Sequence, residues 1–178
     1  MDAATVEAYL AGETRRVKSQ RPLQGETPDL GGVFDANAAA LYRTILAYTG
    51  GRSDVAEEAV AEAFARATAN LDRIRDPVPW LYRVAFNVAT DELRRDRHRG
   101  HGGQPEQVQP SPEATGLFDA MRHLPPRERA AMVLFYVNDL SVAEVASRMG
   151  VASPTVRVHL MKGRRRLREL LGDDEVDD

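Results

Sequence analysis

The chain has 178 residues, no cysteine and a formal net charge of −3 at pH 7. The lack of cysteine excludes disulfides, thiolate metal sites and cysteine nucleophiles, and no apolar run approaches the roughly 18 residues of a membrane-spanning helix. Residues 1–18 carry acidic residues instead of the charged, apolar and small-residue order of a secretion signal, so we expect a cytoplasmic protein.

The net charge conceals a segregation of sign along the chain. Basic residues collect at 94–99 and 157–168, whereas acidic residues collect at 54–62 and in the tail 172–178. Because the location of charge decides which partners a surface attracts, an acidic sum does not exclude a nucleic-acid binder.

Residues 1–32 are predicted to form a flexible N-terminal extension. Prolines and glycines interrupt the stretch 22–32, and little of the segment is apolar, so it offers few groups for a core. A functional arm that binds a partner is the alternative.

A first helical domain is predicted from 33 to 99. Its first helix has apolar residues at helical spacing from Phe34 to Tyr48 and ends at Gly50 and Gly51. A second helix opens at Asp54, which has Glu57 three residues on, the spacing of a capping box. Small and apolar residues occupy one half of this helix: Val55, Ala56, Ala59, Val60, Ala63, Phe64 and Ala67.

The other half of the second helix carries the carboxylates of Glu57, Glu58 and Glu62. Only Glu62 has a basic residue four positions ahead, Arg66, so the other two lack a partner of this kind on their own helix. Such a face is either plain solvated surface or a docking surface for a basic partner, and the pattern alone leaves both open.

A loop at 71–78 precedes a third helix, which begins at Pro79 and runs to about Arg97. The only tryptophan is predicted to anchor its buried side, which consists of Trp80, Leu81, Val84, Ala85, Val88 and Leu93. A polar face is formed by Asn87, Asp91, Arg94 and Arg95. An asparagine in mid-helix lowers helix propensity, so Asn87 either has a hydrogen-bonding role such as a base contact or is exposed without a role.

Residues 100–116 are rich in Gly, Pro, Gln and Ser and are predicted to be a flexible linker. Fully extended, the segment would span on the order of 55 Å at about 3.3 Å per residue. A second domain of four short helices follows at 117–171. A core this small without a disulfide is marginal.

The second domain contains the start and stop signals of a helix-turn-helix. Ser141 and Glu144 have capping-box spacing, Gly150 ends that helix, and Ser153 with Pro154 opens the next one. The last helix has a narrow apolar seam and is basic elsewhere, with no acid from 154 to 168. Its seam consists of Val156, Leu160, Gly163 and Leu167, of which Gly163 lowers helix propensity by roughly 1 kcal/mol relative to alanine. This arrangement favours insertion into a DNA major groove over a merely solvated basic helix.

No combination of residues indicates catalysis. The chain lacks a glycine-rich phosphate loop, zinc-ligand spacing and the signature of a serine or cysteine nucleophile. We therefore expect no catalytic residues, no metal, no cofactor and no enzymatic activity. The predicted fold class is all-α, with two small helical domains joined by a flexible linker and a helix-turn-helix in the second.

Two separated segments resemble conserved regions of one bacterial family, the extracytoplasmic-function (ECF) sigma factors of RNA polymerase. The sequence DVAEEAVAEAFAR from Asp54, followed by PWLYRVAFNVATDELRR from Pro79, is similar to sigma region 2. The sequence LPPRER from Leu124, LSVAEVA from Leu140 and GVASPTV from Gly150 are similar to region 4. Together the resemblance covers about 34–99 and 117–171.

The resemblance implies a role for each surface. The acidic face would bind the clamp helices of the polymerase largest subunit through Glu57, Glu58 and Glu62. The melted minus-ten strand, with a flipped base, would be held by Asp72, Arg73, Arg75, Asp76, Asn87, Asp91, Arg94 and Arg95. The linker would thread toward the active cleft and the RNA exit path. The minus-thirty-five element would be bound by Ser153, Thr155, Arg157, Val158, His159, Lys162, Arg164, Arg165 and Arg166.

The implied function is that of a sigma factor, which binds core RNA polymerase and promoter DNA and directs transcription initiation at a specific regulon. An anti-sigma factor is a further candidate partner, and no membrane insertion is expected. The acidic tail 172–178 is either a solubilising end or a shield for the basic helix. A stand-alone repressor or activator is the competing reading, and an enzyme is the third.

Overall fold

All regular structure in the described part of the computed structural model is helical. The structure describes residues 30–98 and 119–171, with side chains for 37–70, 72–98 and 119–171. The predicted linker and tail, and the extension as far as residue 29, lie outside these ranges. The helices are α1 (Leu30–Thr49), α2 (Ser53–Ala69), α3 (Pro77–His98), α4 (Pro126–Met132), α5 (Val142–Met149) and α6 (Ser153–Leu171), with a 3-10 turn at Leu71–Arg73 and a π-helical turn at Val133–Val137.

The first three helices pack around a core to which α2 contributes mainly alanine. Ala56, Ala59, Ala63 and Ala67 are fully buried. The distance between two packed helices depends on the side chains at their contact, so a stripe of methyl groups lets α2 lie close to α1 and α3. The all-α prediction and the apolar half of α2 are confirmed.

The predicted capping box at Asp54 is wrong. The helix begins at Ser53, its N-cap position is Arg52, and no side chain caps it. Asp54 instead accepts hydrogen bonds from Arg52 Nε at 2.8 Å and Arg52 Nη2 at 2.5 Å. These bonds lower the pKa of Asp54. An acid in the first turn still interacts favourably with the helix dipole, which explains its position without a cap.

The predicted buried side of α3 is shifted around the helix. Leu81 and Ala85 are buried as expected, but their buried neighbours are Tyr82, Phe86 and Ala89, and Trp80 is only half-buried. The aromatic centre of the core is Phe86, which meets Tyr48 edge to face at 4.9 Å between ring centroids. Tyr48 in turn shares a 2.6 Å hydrogen bond with Thr90. Tyr82 was not predicted on the buried side; its ring lies 6.4 Å from that of Phe86 between centroids and is covered by the guanidinium of Arg148.

The second domain has the predicted helix-turn-helix. Ser141 and Glu144 form the capping box, and Gly150 has a left-handed backbone with φ of 66°. The next helix starts at Ser153, with Ala152 O accepting from Thr155 N at 2.9 Å. The predicted start, with Ser153 as the cap and Pro154 as the first helical residue, is therefore one residue late. All four predicted seam residues of α6 are buried.

The two domains contact each other along α1 and α3. Asn138 Nδ2 donates to Thr44 Oγ1 at 2.6 Å, and Arg129 Nη1 donates to the carbonyl oxygen of Tyr48 at 3.2 Å. The guanidinium of Arg148 lies 4.5 Å from the ring centroid of Tyr82. The described residues thus form a closed arrangement in which polar contacts join the two domains.

Candidate nucleic-acid interface

The last helix, α6, presents three differently oriented sides to solvent. With 3.6 residues per turn, the buried seam leaves 158, 161, 162 and 165 pointing directly away from the core. One flank carries Thr155, His159 and Arg166, and the other carries Arg157, Arg164 and Arg168. The N-terminal turns of a recognition helix contact base edges, and residues further along it can contact phosphates, so a helix with accessible polar and basic residues along its whole length suits a major groove.

Seven of the nine residues predicted on α6 are exposed, and the other two, Ser153 and His159, are half-buried. The nine do not share one surface of the helix. Arg157 lies in the first turns of α6, and Arg165 lies eight residues further on, about 12 Å along the axis. These two arginines are therefore on different sides and at different heights of the helix.

Three consecutive arginines on α6 have different protein partners. Arg164 Nη1 donates to the Tyr136 hydroxyl at 3.3 Å, and Arg165 Nε lies 3.6 Å from Glu169. Arg166 Nε lies 3.1 Å from the carboxylate of Glu128, a residue that is only 6% exposed. A buried carboxylate without its cation is strongly destabilising, so Arg166 has a structural task that sequence reasoning did not assign to it.

The imidazole of His159 is held toward its neutral form. Partial burial lowers its pKa below 6.5, and the positive charge of Arg127 lowers it further, although Glu128 opposes the shift. At neutral pH His159 therefore offers a neutral donor and acceptor instead of a charge.

Met161 is a candidate contact residue that the sequence analysis missed. It is 57% exposed, and Val158, one turn earlier on the same outward side, is 44% exposed. Apolar atoms at the centre of a recognition surface can contact thymine methyl groups. The position of Met161 on the side of the helix opposite the apolar seam could have predicted its exposure. The predicted contacts on this helix were limited to Val158 and to polar and basic residues.

The second set of candidate DNA residues lies on the first domain. The loop after α2 exposes Asp72, Arg73, Arg75 and Asp76 around the buried side chain of Ile74. On α3, Asn87 is exposed and has no hydrogen-bond partner among the described residues. Below it, Arg94 Nη2 lies 3.2 Å from Asp91 Oδ1 in an ion pair, and Arg95 pairs with Glu92.

The acidic face of α2 is accessible. Glu57 and Glu58 are exposed, and Glu62 accepts from Arg66 Nε at 2.6 Å. Pairing with Arg66 reduces the charge that Glu62 offers, so Glu57 and Glu58, which have no ion-pair partner among the described residues, dominate this face.

The described ranges 30–98 and 119–171 contain no cluster of three or more potential ligands arranged to hold a metal ion. Within the same ranges, no helix combines the length and apolar character needed to cross a bilayer.

The helical modules and their charged surfaces define a sigma-70 type of protein. Residues 33–99 match the family described as Sigma-70 region 2, and residues 116–167 match Sigma-70, region 4.

Curated relatives extend this match. The ECF RNA polymerase sigma factor SigL of Mycobacterium tuberculosis is 31% identical over 150 residues, which cover 76% of this chain and 85% of SigL. The ECF RNA polymerase sigma factor BldN of Streptomyces coelicolor is 30% identical, with 87% of this chain and 65% of BldN covered. The RNA polymerase sigma factor CarQ of Myxococcus xanthus is 32% identical, with 56% of this chain and 63% of CarQ covered. The chain thus spans just under two thirds of BldN and CarQ. It belongs to the ECF RNA polymerase sigma factors.

Solved structures share the fold. A sigma factor RpoE in complex with the anti-sigma factor NepR, from Bartonella quintana, matches with a TM-score of 0.63 at 21% identity, covering 83% of this chain and 99% of that one. CnrH in complex with the cytosolic domain of CnrY matches with a TM-score of 0.57 at 19% identity, covering 98% and 99%.

Proposed function

We propose that the protein is a sigma factor that binds core RNA polymerase, recognises the minus-ten and minus-thirty-five elements of a promoter, and directs transcription initiation. It acts in the cytoplasm and catalyses no reaction of its own. The observation that carries this proposal is the placement of opposite charges on two modules: exposed carboxylates on α2 and an exposed basic helix, α6. One module binds a protein and the other binds duplex DNA.

The residues 33–99 are assigned to polymerase and to the opened strand. Glu57, Glu58 and Glu62 form the polymerase-binding face, since accessible carboxylates complement a basic partner. The loop from Asp72 to Asp76 and the polar side of α3 hold the single strand. Asn87 supports this assignment because its amide is accessible and has no described partner, so it is available to an unstacked base.

The residues 117–171 are assigned to the minus-thirty-five duplex. The early turns of α6, including Arg157, contact base edges, and the later arginines contact phosphates. Arg164 and Arg165 supply most of the phosphate contacts, because Arg166 is engaged with Glu128.

An anti-sigma factor is included among the proposed partners. In the two similar structures, RpoE is in complex with the anti-sigma factor NepR, and CnrH is in complex with the cytosolic domain of CnrY. The likeness of folds supports a partner of that kind here, without identifying it.

Run-off transcription tests the central proposal. The purified chain, added to core RNA polymerase and a library of genomic fragments, is expected to start transcripts at a defined set of promoters, and it should co-purify with core enzyme. Binding to a palindromic duplex as a dimer, together with no association with polymerase, would instead establish a stand-alone repressor or activator.

Reversal of charge at Glu58 and Glu62 tests the docking face. The double variant Glu58→Lys, Glu62→Lys is expected to bind core polymerase at least tenfold more weakly, because like charges would then face each other. Both side chains are accessible, so thermal unfolding should change little. Binding is measured without DNA, with Glu169→Lys as the matched control on an exposed carboxylate elsewhere. Equal affinity of the double variant and the parent chain would remove the docking assignment.

Substitutions of two arginines on α6 should affect DNA binding in different ways. Arg157→Ala is expected to reduce the preference for promoter over random duplex, since a lost base contact costs about 1–3 kcal/mol of discrimination. Arg165→Ala should weaken both duplexes alike and reduce the slope of log K against log salt by about one unit. Titrations at several salt concentrations measure both quantities, and identical behaviour of the two variants would contradict the assigned roles.

A further inference from the structure

A cleft with several charged side chains in its lining lies at the junction of the two domains. It has a volume of about 130 Å³, and its lining includes Tyr48, Arg52, Asp96, Arg97, Arg122 and Arg129. Four of these six side chains are arginines. The first domain contributes Arg52 and Arg97, and the second domain contributes Arg122 and Arg129, so any ligand in the cleft would contact both.

Arg129 is a buried cation without a described carboxylate partner. It is only 7% exposed. Its Nη2 donates to the carbonyl oxygens of Arg122 at 2.6 Å and Leu124 at 3.0 Å, and its guanidinium lies 5.1 Å from the ring centroid of Tyr48. Its Nε is buried and has no hydrogen-bond partner. Carbonyl dipoles and an aromatic ring satisfy some of its donors, but they do not neutralise its charge.

The other arginines add positive charge near Arg129. Burial lowers the pKa of Arg129, and the cations of Arg97 and Arg122 lower it further, against the opposing effect of Tyr48. Arg97 has a single described hydrogen bond, from Nε to the carbonyl oxygen of Leu93 at 3.3 Å. Arg122 packs its aliphatic stem on the turn at Gly50, where a Cβ would lie 2.6 Å from Arg122 Cδ.

Nearby acids do not cancel this charge within the cleft. Asp96 pairs with Arg52 at 2.9 Å, and Asp54 pairs with the same arginine from outside the cleft. Asp119 lies 3.5 Å from Arg122 and is 61% exposed, so water screens this pair. Arg97 and Arg129 have no carboxylate partner among the described residues.

We propose that this cleft binds the phosphate group of a small anion, with Arg97, Arg122 and Arg129 as its ligands. A phosphate carries several acceptor oxygens on one centre, which suits a cleft lined by several arginines better than a single carboxylate does. The cleft is large enough for a phosphate group, since one water needs only about 10–15 Å³. Because the ligands come from both domains, the bound anion stabilises the closed arrangement.

Isothermal titration of the full chain with inorganic phosphate tests the site, at constant ionic strength maintained with chloride. We expect saturable binding of one anion per chain and a rise in the melting temperature with phosphate concentration. Arg97→Gln and Arg122→Gln should each weaken binding roughly tenfold or more, because each removes charge-assisted hydrogen bonds. These rim residues are chosen because loss of Arg129 could prevent folding. Arg168→Gln, which removes an exposed arginine of α6, is the matched control and should bind like the parent chain.

A comparison of two ligands in the same titration identifies the source of the phosphate. A nucleoside monophosphate that binds as well as inorganic phosphate would support a phosphorylated metabolite whose remainder projects from the cleft. Binding of inorganic phosphate alone would support the free ion. Both results support the site, and neither depends on the proposed function, since the measurement contains no polymerase or DNA.

Three results would overturn the proposal. The first is the absence of saturable binding at millimolar phosphate. The second is an equal loss of affinity in Arg168→Gln, which would reflect diffuse charge. The third is phosphate binding only in a full-length variant whose tail carboxylates are neutralised. That result would make the cleft a site for the protein's own carboxylates. The substitutions are Asp173→Asn, Asp174→Asn, Glu175→Gln, Asp177→Asn and Asp178→Asn.

Discussion

At position 163, the backbone of α6 lies against the side chains of α4. A Cβ atom on Gly163 would lie 2.9 Å from Met132 Cγ and 3.1 Å from Met132 Sδ. The residue that lowers the helix propensity of α6 is therefore the one that permits its closest approach to α4. Propensity alone would describe Gly163 as a weakness of the recognition helix, whereas packing makes it a requirement.

Gly163→Ala is expected to destabilise the protein by about 1 kcal/mol. Overpacking costs roughly 1–3 kcal/mol, and the gain in helix propensity offsets about 1 kcal/mol of it. In a Met132→Ala background the same substitution should stabilise by about 1 kcal/mol, because the clash is gone. Urea unfolding of the four variants measures this coupling. Equal effects of Gly163→Ala in the two backgrounds would show that Met132 moves aside without strain.

At the scale of elements, α5 is an eight-residue helix whose ends are fixed by local hydrogen bonds. Ser141 Oγ accepts from Glu144 N at 3.3 Å, and Glu144 Oε2 accepts from Ser141 N at 2.9 Å. At the other end, Gly150 N donates to the carbonyl oxygen of Ser147 at 3.2 Å. A helix this short is unstable in isolation, so these caps and its packing on α3 and α6 hold it.

Ser141→Ala is expected to lower the free energy of unfolding by about 1 kcal/mol, since it removes the N-cap acceptor and releases Glu144. Ser147→Ala, on the exposed side of the same helix, is the matched control and should change stability by no more than a few tenths of a kcal/mol, in the stabilising direction. Chemical denaturation gives both values. If the two serines behave alike, the capping box contributes nothing measurable to the fold.

At the scale of the whole molecule, the closed arrangement is maintained by a few polar contacts between domains. They are the Asn138–Thr44 hydrogen bond, the bonds of Arg129 and the stacking of Arg148 on Tyr82. Under the proposed function, one domain binds an opened strand while the other binds a separate duplex element. The domains must then part, and these contacts must break when they do.

The double variant Asn138→Ala, Arg148→Ala is expected to increase the ratio of open to closed molecules roughly tenfold. The hydrogen bond contributes about 0.5–1.5 kcal/mol and the cation–π contact about 0.5–1 kcal/mol. Because the chain has no cysteine, single labels can be placed through Ala65→Cys and Ala143→Cys, both at exposed positions. Energy transfer between the labels measures the separation, with Arg168→Ala as the control. An unchanged distance distribution in the double variant would contradict the role of these contacts.

Local sequence signals predicted most individual elements correctly. Ser141 with Glu144, Gly150 and the seam of α6 were identified because caps, turns and helical periodicity depend on residues only a few positions apart. The resemblance to the ECF sigma factors also came from the sequence, through the order and spacing of two segments. The assignment of individual residues to polymerase and DNA remains a prediction.

Two of the errors involve residues that are distant in sequence. Arg52 occupies the N-cap of α2 because it also reaches Asp96, 44 positions away. On α3, Tyr82 is buried and Trp80 is only half-buried. The ring of Tyr82 packs near Phe86 and under Arg148. Helical periodicity could predict neither contact, because it considers only the residues of a single helix.

The sequence by itself determined the helices, the helix-turn-helix, the segregation of charge and the family. Only the tertiary structure decided the buried side of α3, the need for glycine at 163, the pairing of Arg166 with Glu128 and the arginine cleft between the domains. The physical reason is range: helix caps and amphipathic faces are set by neighbours along the chain, whereas a buried charge or a close helix contact is set by atoms that only folding brings together.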